Sequence, residues 1–597
     1  MIRKLIDQLE LDLNPSRLFP EKPFFRFRSQ RTQCDCQAHL KVQKSRTRIV
    51  STRHIGDFDA QETILQCPDC KKIYGSEQLQ SLIPSQGKFG FDIIVRIGQE
   101  LFLQCRNDTD IQQALLRENN VSISLSEINY LGKKFIVYLA LAHQECKDEL
   151  KQYMQQQGGY ILHLDGTCEG KSPHLMSSID EISQIVMHNQ KMSSENSDYI
   201  IPFLQHIKEN YGKPLALVHD MGTGILRAVD EVFPGILDFI CHFHFLKAQG
   251  KNLFEQDYNT IRRHLRSYKL SAQLRKIAKV IKQTIDGDEA MMIKLTCYLQ
   301  AKNSKEKQNN EMAPTIKAYL LITWILEASS ASHGFGFPFD RVHFDTYKRL
   351  KKAYPALKAL KPSMPKGLLP LNLLHKIVID SALESVSLRM TEKVQVFDQL
   401  RQCMRIALPE RKQGLNDDGD TDIKTIEKEV TLFCQDESII KLANNNYHYK
   451  RLLKQIAKFK DKLFADPIKV KTPAGDILVQ PQRTNNIMEQ FFRDVKRHYR
   501  KKSGQLSLSK TLKGMLADTA LIKNLNHADY MKILLKGKSS LEERFSDIDI
   551  KLVRQKLKEE AEQLKKYPQG MGIMFKIPDL PEQLKIVHEN QEKVAQL

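Results

Sequence analysis

The sequence predicts an α/β core interrupted by a large all-α tract and preceded by two small modules, and three observations carry that expectation. Two apolar runs of the same shape each end in an aspartate, Gly159-Tyr160-Ile161-Leu162-His163-Leu164-Asp165-Gly166-Thr167 and Pro214-Leu215-Ala216-Leu217-Val218-His219-Asp220. Between them Tyr199 to Lys208 repeats its apolar residues at helical spacing, with Gly212 and Pro214 as stop signals, so the order is strand, crossover helix, strand. Second, from Phe254 to about Ala474 that alternation gives way to long, Lys-rich helical segments such as Tyr268 to Ile285 and Ile440 to Phe464. Third, two close cysteine pairs stand near the start, Cys34-Asp35-Cys36 and Cys67-Pro68-Asp69-Cys70.

Residues 1 to about 30 carry Phe24, Phe25 and Phe27 among basic residues, without a clear period or an assignable role. Four thiolates suit tetrahedral zinc, so Cys34, Cys36, Cys67 and Cys70 predict a ribbon-like zinc module over residues 1–80. His39 is a substitute ligand, and incidental cysteines are the competing explanation. Residues 81–155 read as three helices: an apolar helical pattern from Phe89 to Cys105, a second helix capped at Asn107, and a third opened by the capping box Ser124-Leu125-Ser126-Glu127 and running through Phe135 to Leu141. This is helix-turn-helix spacing, which would turn Ser126, Asn129, Lys133 and Lys134 toward DNA; plain three-helix packing is the alternative.

The first part of the core is expected over residues 156–254. A right-handed crossover makes the two aspartate-bearing strands parallel and brings Asp165 and Asp220 to one edge, with the Asp165-Gly166 pair read as the turn that ends its strand. His174 to Asp180 reads as an antiparallel return strand and Met187 to Lys191 as a third; Asp180 and Glu181 are spare acids. Gly224 to Val232 is helical, and Ile236 to Ile240 is a further strand closed by Cys241 and His244. That pair lacks two ligands for a metal site, so a buried packing role beside the core edge is expected.

Residues 255–475 form the helical insertion. Trp324, in the apolar helix Thr315 to Leu326, is expected in its core, with stacking on a flipped base as the alternative, and Leu408 to Asp422 as an exposed loop. Residues 476–510 return to the α/β core with one helix, N-capped by Thr484 or Asn485, on which Glu489, Arg493, Lys496 and Arg500 share a face while Phe492 and Val495 fall elsewhere. Taken alone, that helix would read as a solvated ion-paired surface. Residues 511–597 predict amphipathic helices at Leu512 to Leu525 and Ser546 to Lys566, pairing subunits or capping the core.

At 597 residues and 41% hydrophobic content the chain is long enough for several cores. Lys plus Arg total 91 against 71 Asp plus Glu, a net charge of +20, which favours a polyanionic partner, nucleic acid first. No apolar run is long enough to span a membrane and no signal segment opens the chain, so a soluble, cytoplasmic, nucleoid-associated protein is expected. Eleven scattered cysteines do not read as a disulfide framework.

Asp165-Gly166-Thr167, His219-Asp220-Met221-Gly222 and the stretch Thr484 to Gly504 around Glu489 together resemble the DDE triad of cut-and-paste or copy-out DNA transposases. Cys241-His242-Phe243-His244 is similar to the Cys-x-x-His element of Mutator-like and related bacterial insertion-sequence transposases. The resemblance spans about Phe89 to Gly504. It implies a ribonuclease-H-like core and two Mg²⁺ or Mn²⁺ ions held by Asp165, Asp220 and Glu489, with Asp165 bridging them. Cleavage and strand transfer would act on double-stranded DNA at an element's terminal inverted repeats and in the target. Arg493, Lys496, Arg497 and Arg500 would hold DNA, and the protein would act as a homodimer or higher oligomer on it. Two other functions compete: a related-fold nuclease or junction resolvase, and a transposase-derived DNA-binding regulator without catalysis.

Overall fold

The computed structural model describes residues 14–300, 312–329, 333–365, 368–408, 421–464, 466–472, 475–504, 506–566, 579, 581–582 and 584–585. It is mixed α/β and mostly helical, and among the described residues no helix is long and apolar enough to cross a membrane. Two compact units emerge: one from residues up to Asp238, 467–481 and Asn485 onward, the other from Phe239–Asp466 with Gln482–Thr484. The expected exposed loop Leu408 to Asp422 lies, apart from its ends, outside the described residues.

The first unit opens with a small sheet. Strand β1 (Phe24–Arg28) pairs in parallel with β3 (Gly56–Gln66), which is antiparallel to β2 (Lys41–Thr52) and to the short β4 (Ile73–Tyr74). The phenylalanines that showed no clear period are strand residues: Phe25 and Phe27 alternate inward onto a core of Val50, Phe58, Ala60, Leu79 and Ile83, and Phe25 meets Phe58 edge-on at 5.3 Å.

Helices α1 (Phe91–Phe102), α2 (Asp108–Asn119) and α3 (Leu125–Glu145) form where the caps anticipate them. Asn107 accepts from the Asp110 amide at 2.8 Å, Ser124 from the Glu127 amide at 3.2 Å, and Asn120 closes α2 in the left-handed conformation. They are not a separable module. Ile128, Leu131, Phe135 and Tyr138 belong to one hydrophobic core with Leu162, Leu217, Phe491 and Phe545, and Tyr138 stacks on Phe545 at 5.1 Å. The local pattern could not show this, because Phe491 and Phe545 lie more than 350 residues later in the chain.

Gly98 on α1 marks the closest approach, since a Cβ there would overlap the Phe135 ring of α3. Ala would gain about 1 kcal/mol of helix propensity. Overpacking a rigid ring costs about 1–3 kcal/mol, so Gly98→Ala is expected to destabilise the unit. A denaturation midpoint equal to or above that of the unchanged protein would show that the two helices can part freely.

The main sheet has the order β7-β6-β5-β8-β9, from β5 (Ile161–Thr167), β6 (His174–Asp180), β7 (Val186–Met192), β8 (Ala216–His219) and β9 (Leu237–Ile240), with the division between units falling inside β9. β5, β6 and β7 are successively antiparallel and β5 is parallel to β8. The crossover helix α4 is Ser197–Tyr211, and α5 is Thr223–Val232. On β7 the Asn524 amide pairs with the Val186 N–H and C=O at 2.8 and 2.9 Å, satisfying backbone groups that a neighbouring strand would otherwise take.

The second unit is helical. Its helices include α6 (His242–Ser267), α7 (Leu270–Asp286), α8 (Pro314–Leu326) and α9 (Tyr447–Leu463). The single helix expected from Ile440 breaks at Asn446, which caps α9 by accepting from the His448 amide at 3.0 Å. Trp324 is not a core residue: it is 36% exposed, with the Arg349 guanidinium 5.1 Å above its ring.

Three boundaries differ from expectation. Residues 255–475 are not all helical, because β10 (Ile468–Thr472) and β11 (Gly475–Val479) form an antiparallel pair in the first unit, where alternating Ile468, Val470 and Lys suit a strand. The helical unit begins at Phe239, not near residue 255. Leu512 to Leu525 is no continuous helix but the end of a short one, Leu508–Gly514, followed by a 3-10 helix, Ala517–Asn526. The first unit also holds α10 (Asn486–Ser503) and α11 (Ile550–Lys566).

Candidate active site

Parallel pairing of β5 and β8 aligns Ile161 with Ala216, Leu162 with Leu217 and His163 with Val218. Asp165 stands four residues after Ile161 and Asp220 four after Ala216. Two residues beyond the last pair, the same register brings Asp165 and Asp220 to one end of the sheet. Asp165 does not end its strand: Gly166 and Thr167 continue β5 opposite Met176 and Leu175. Each carboxylate is oriented by its own turn of chain, Asp165 accepting from the Gly166 amide at 2.8 Å and Asp220 from the Gly222 amide at 2.9 Å.

Asn485 brings the third acid to them. It occupies the N-cap position of α10, yet its side chain turns into the sheet: Oδ1 lies 2.8 Å from His163 Nδ1, and Nδ2 donates to the Leu164 carbonyl at 2.9 Å. The fully buried His163 faces Glu181 at 2.9 Å through its other ring nitrogen. The start of α10 is thereby tied to β5 at the residue before Asp165. Glu489 follows one turn in, its amide donating to the Asn485 carbonyl at 3.1 Å.

Burial raises the pKa of Asp165 well above its ordinary value, and the negative charge of Asp220 raises it further, with smaller additions from Glu195 and Glu489. Four carboxylates therefore share one locality. Glu195 was missed by the sequence reading, since it sits in the polar stretch Ser193-Ser194-Glu195-Asn196 without an apolar run leading to it. The topology held the signal: β7 runs parallel to β5, so a residue three positions beyond the β7 end at Met192 reaches the edge that carries Asp165 and Asp220.

Asp180 is not a rival for this site. It is fully buried and accepts from the amides of Ile161, Ile182 and Ser183 at 3.0, 3.1 and 2.9 Å and from the Ser183 hydroxyl at 2.6 Å. Asp180→Asn would turn an amide N–H₂ toward donors, so a loss of about 1–3 kcal/mol in stability is expected with catalysis per folded molecule unchanged. Thermal melting beside specific activity below the transition separates the two; lost activity in fully folded variant would return Asp180 to the site.

Arg493, Lys496, Arg497 and Arg500 are exposed along α10 beyond Glu489, and Lys133 is exposed on α3. Lys134 is not available to DNA as expected: it is 8% exposed with its ammonium 6.0 Å over the Tyr138 ring, and burial pulls its pKa down to about 8. Asn129 is engaged by Asp108 at 2.7 Å.

In the N-terminal module Cys34, Cys36, Cys67 and Cys70 bring their sulfurs within 4.8 Å of one another. The 34–70 and 36–67 pairs are 3.4 Å apart and the 36–70 pair 3.7 Å, near the roughly 3.8 Å that tetrahedral Zn–S bonds of about 2.3 Å require. The Tyr74 hydroxyl stands 3.1 Å from the Cys34 sulfur, where it can donate to a thiolate and orient it. His39 stands outside the group, and among the described residues the cysteines form the one set of three or more ligand atoms that close together. The carboxylates at the sheet edge are all hard oxygen donors, the type that Mg²⁺ and Mn²⁺ take, but they stand further apart. Cys241 and His244 belong to the helical unit, Cys241 buried at the N-cap of α6.

No family model and no curated protein matches the chain. Among solved structures it is similar to the Drosophila P element transposase strand transfer complex, at 10% identity and a TM-score of 0.27 over 75% of this chain and 93% of that one, a likeness too distant to argue from.

Proposed function

We propose that this chain is a DDE-type DNA transposase with a ribonuclease-H-like core, in which Asp165, Asp220 and Glu489 hold two divalent ions. One observation carries the reading: Asp165 is buried against the charges of Asp220, Glu195 and Glu489, an arrangement that costs stability unless a cation answers it. Two bound dications would neutralise the attacking and leaving oxygens of a phosphodiester. The chain's own part is placement. Asp165 on β5 and Asp220 after β8 set two ligand positions, and the Asn485 tie to His163 and Leu164 sets the third by fixing where α10 begins. Beyond Glu489 the exposed Arg493, Lys496, Arg497 and Arg500, with Lys133, would track the DNA backbone.

On this reading the partners are an element's terminal repeats and target DNA, the protein acts as a homo-oligomer on them, and zinc sits in the four-cysteine group. The Cys241-x-x-His244 element, similar to that of Mutator-like transposases, supports a place in that branch. Cleavage and joining of labelled end DNA in Mg²⁺ or Mn²⁺ tests the function: cutting without any joining would identify a nuclease, and DNA binding with neither would identify a regulator.

A further inference from the structure

We propose that Glu195 is a fourth carboxylate ligand of the same divalent-cation site, held in place by His174; this rests on the two-metal reading of Asp165, Asp220 and Glu489. Two glycines make room for it. A Cβ at Gly166, directly after Asp165, would stand 2.5 Å from Glu195 Oε1 and 3.2 Å from its carboxyl carbon. A Cβ at Gly224, on the first turn of α5 after Asp220, would overlap the Glu195 carbonyl and stand 3.1 Å from the Ser197 amide. Neither glycine has the left-handed backbone that would explain it otherwise, as neither is among the positive-φ positions. Both aspartate motifs thus keep a bare backbone where the Glu195 segment passes: its backbone runs against Gly224, beyond Asp220, and its carboxylate lies against Gly166, beside Asp165.

The side chain is also aimed. His174 Nδ1 donates to Glu195 Oε1 at 3.0 Å, leaving the second oxygen free of that bond, the arrangement by which outer groups orient ligands. A further observation points to a guest at this face. Ser177 lies opposite Asp165 in the β5–β6 register, so its side chain shares that face; it is fully buried, and among the described residues its hydroxyl has no hydrogen-bond partner. A hydrated Mg²⁺ or Mn²⁺ ion brings water that such a hydroxyl can bind, because Mg²⁺-type ions keep several waters.

The test is Mn²⁺ binding by the full-length protein without DNA, read from the electron paramagnetic resonance of free Mn²⁺. Glu195→Gln is expected to weaken binding about tenfold or more. Gly166→Ala removes no carboxylate but pushes Glu195 aside, and is expected to weaken binding likewise, while Glu195→Asp, which keeps the charge, partly restores it. Circular dichroism and melting temperature establish that each variant is folded, and the conservative Glu195→Asp stands in if Glu195→Gln is not. Normal Mn²⁺ affinity in Glu195→Gln beside lost affinity in Asp165→Asn overturns this proposal alone. Normal affinity in both overturns the underlying site as well.

Discussion

Asp165→Asn is expected to abolish metal-dependent cleavage and joining while raising the melting temperature of the metal-free protein. The two effects share one cause. The folded pKa of Asp165 lies above the ordinary 3.8, raised first by burial and then by Asp220. The folded state therefore binds the proton more tightly than the unfolded one, and this group's contribution to stability falls as pH rises from 3.8 through the folded value. Above the ordinary carboxylate range the penalty has set in, and the amide relieves it. A gain of about 2 °C or more is expected without divalent ions. Adding Mg²⁺ or Mn²⁺ should stabilise the unchanged protein by mass action and Asp165→Asn little or not at all. Activity should fall by about 10⁴-fold or more, as it should in Asp220→Asn and Glu489→Gln, and doubles should be no worse than singles because the groups act as a unit. Full activity in any one of the three would end the triad assignment; a melting temperature lowered by Asp165→Asn would mean the carboxylate is satisfied by partners other than metal.

Cys67→Ser with Cys70→Ser is expected to unfold the N-terminal sheet and leave the rest of the first unit intact. That sheet buries a core of five apolar side chains, Val50, Phe58, Ala60, Leu79 and Ile83, with Phe25 and Phe27 half-buried against it. Cores that small rarely hold a fold unaided. Zinc in comparable small modules contributes about 10–16 kcal/mol at neutral pH. The backbone N–H of Cys36 and the Tyr74 hydroxyl draw the Cys34 thiol down to about 6, a thiolate prepared for metal. Elemental analysis should find one zinc per chain, lost in the double variant. Hydrogen exchange should then rise across β2 and β3 and stay unchanged across α3, whose partners are in the main core. Unchanged protection of β2 and β3 in zinc-free protein would show that the sheet stands without metal.

Much of this architecture was legible wherever a local signal coincides with what the tertiary structure requires. The apolar runs before Asp165 and Asp220 are buried strands in the pairing that the crossover rule demands, and Asn107 and Ser124 cap the helices they announce. Asn485 was legible as a cap position but not as a tie, because its side chain forgoes the cap for His163, 322 residues earlier. Lys134 reads as a DNA contact because helix-turn-helix spacing would turn that helix toward the major groove, whereas Tyr138 and a distant Phe545 make that side of α3 an interior. Gly166 fits a turn and a strand equally well, so the end of β5 was read too early. Glu195 follows no apolar run; only sheet order, with β7 parallel to β5, sends it to the aspartate edge.

The chain leaves the first unit at Phe239 and returns at Pro467, and Glu489 comes 269 residues after Asp220. During synthesis the ribosome must make the whole helical unit before α10 exists to meet β5. At roughly 5–20 residues per second those 228 residues, Phe239–Asp466, take on the order of 10–50 s. Through that interval the emerging protein already carries Asp165 and Asp220 but no Glu489. A chain broken off anywhere within the helical unit has two of the three proposed ligand positions and lacks the third. On the proposed function, strand-cutting capacity is thus deferred until α10 has been made, and translation products terminated within the helical unit should be harmless to DNA.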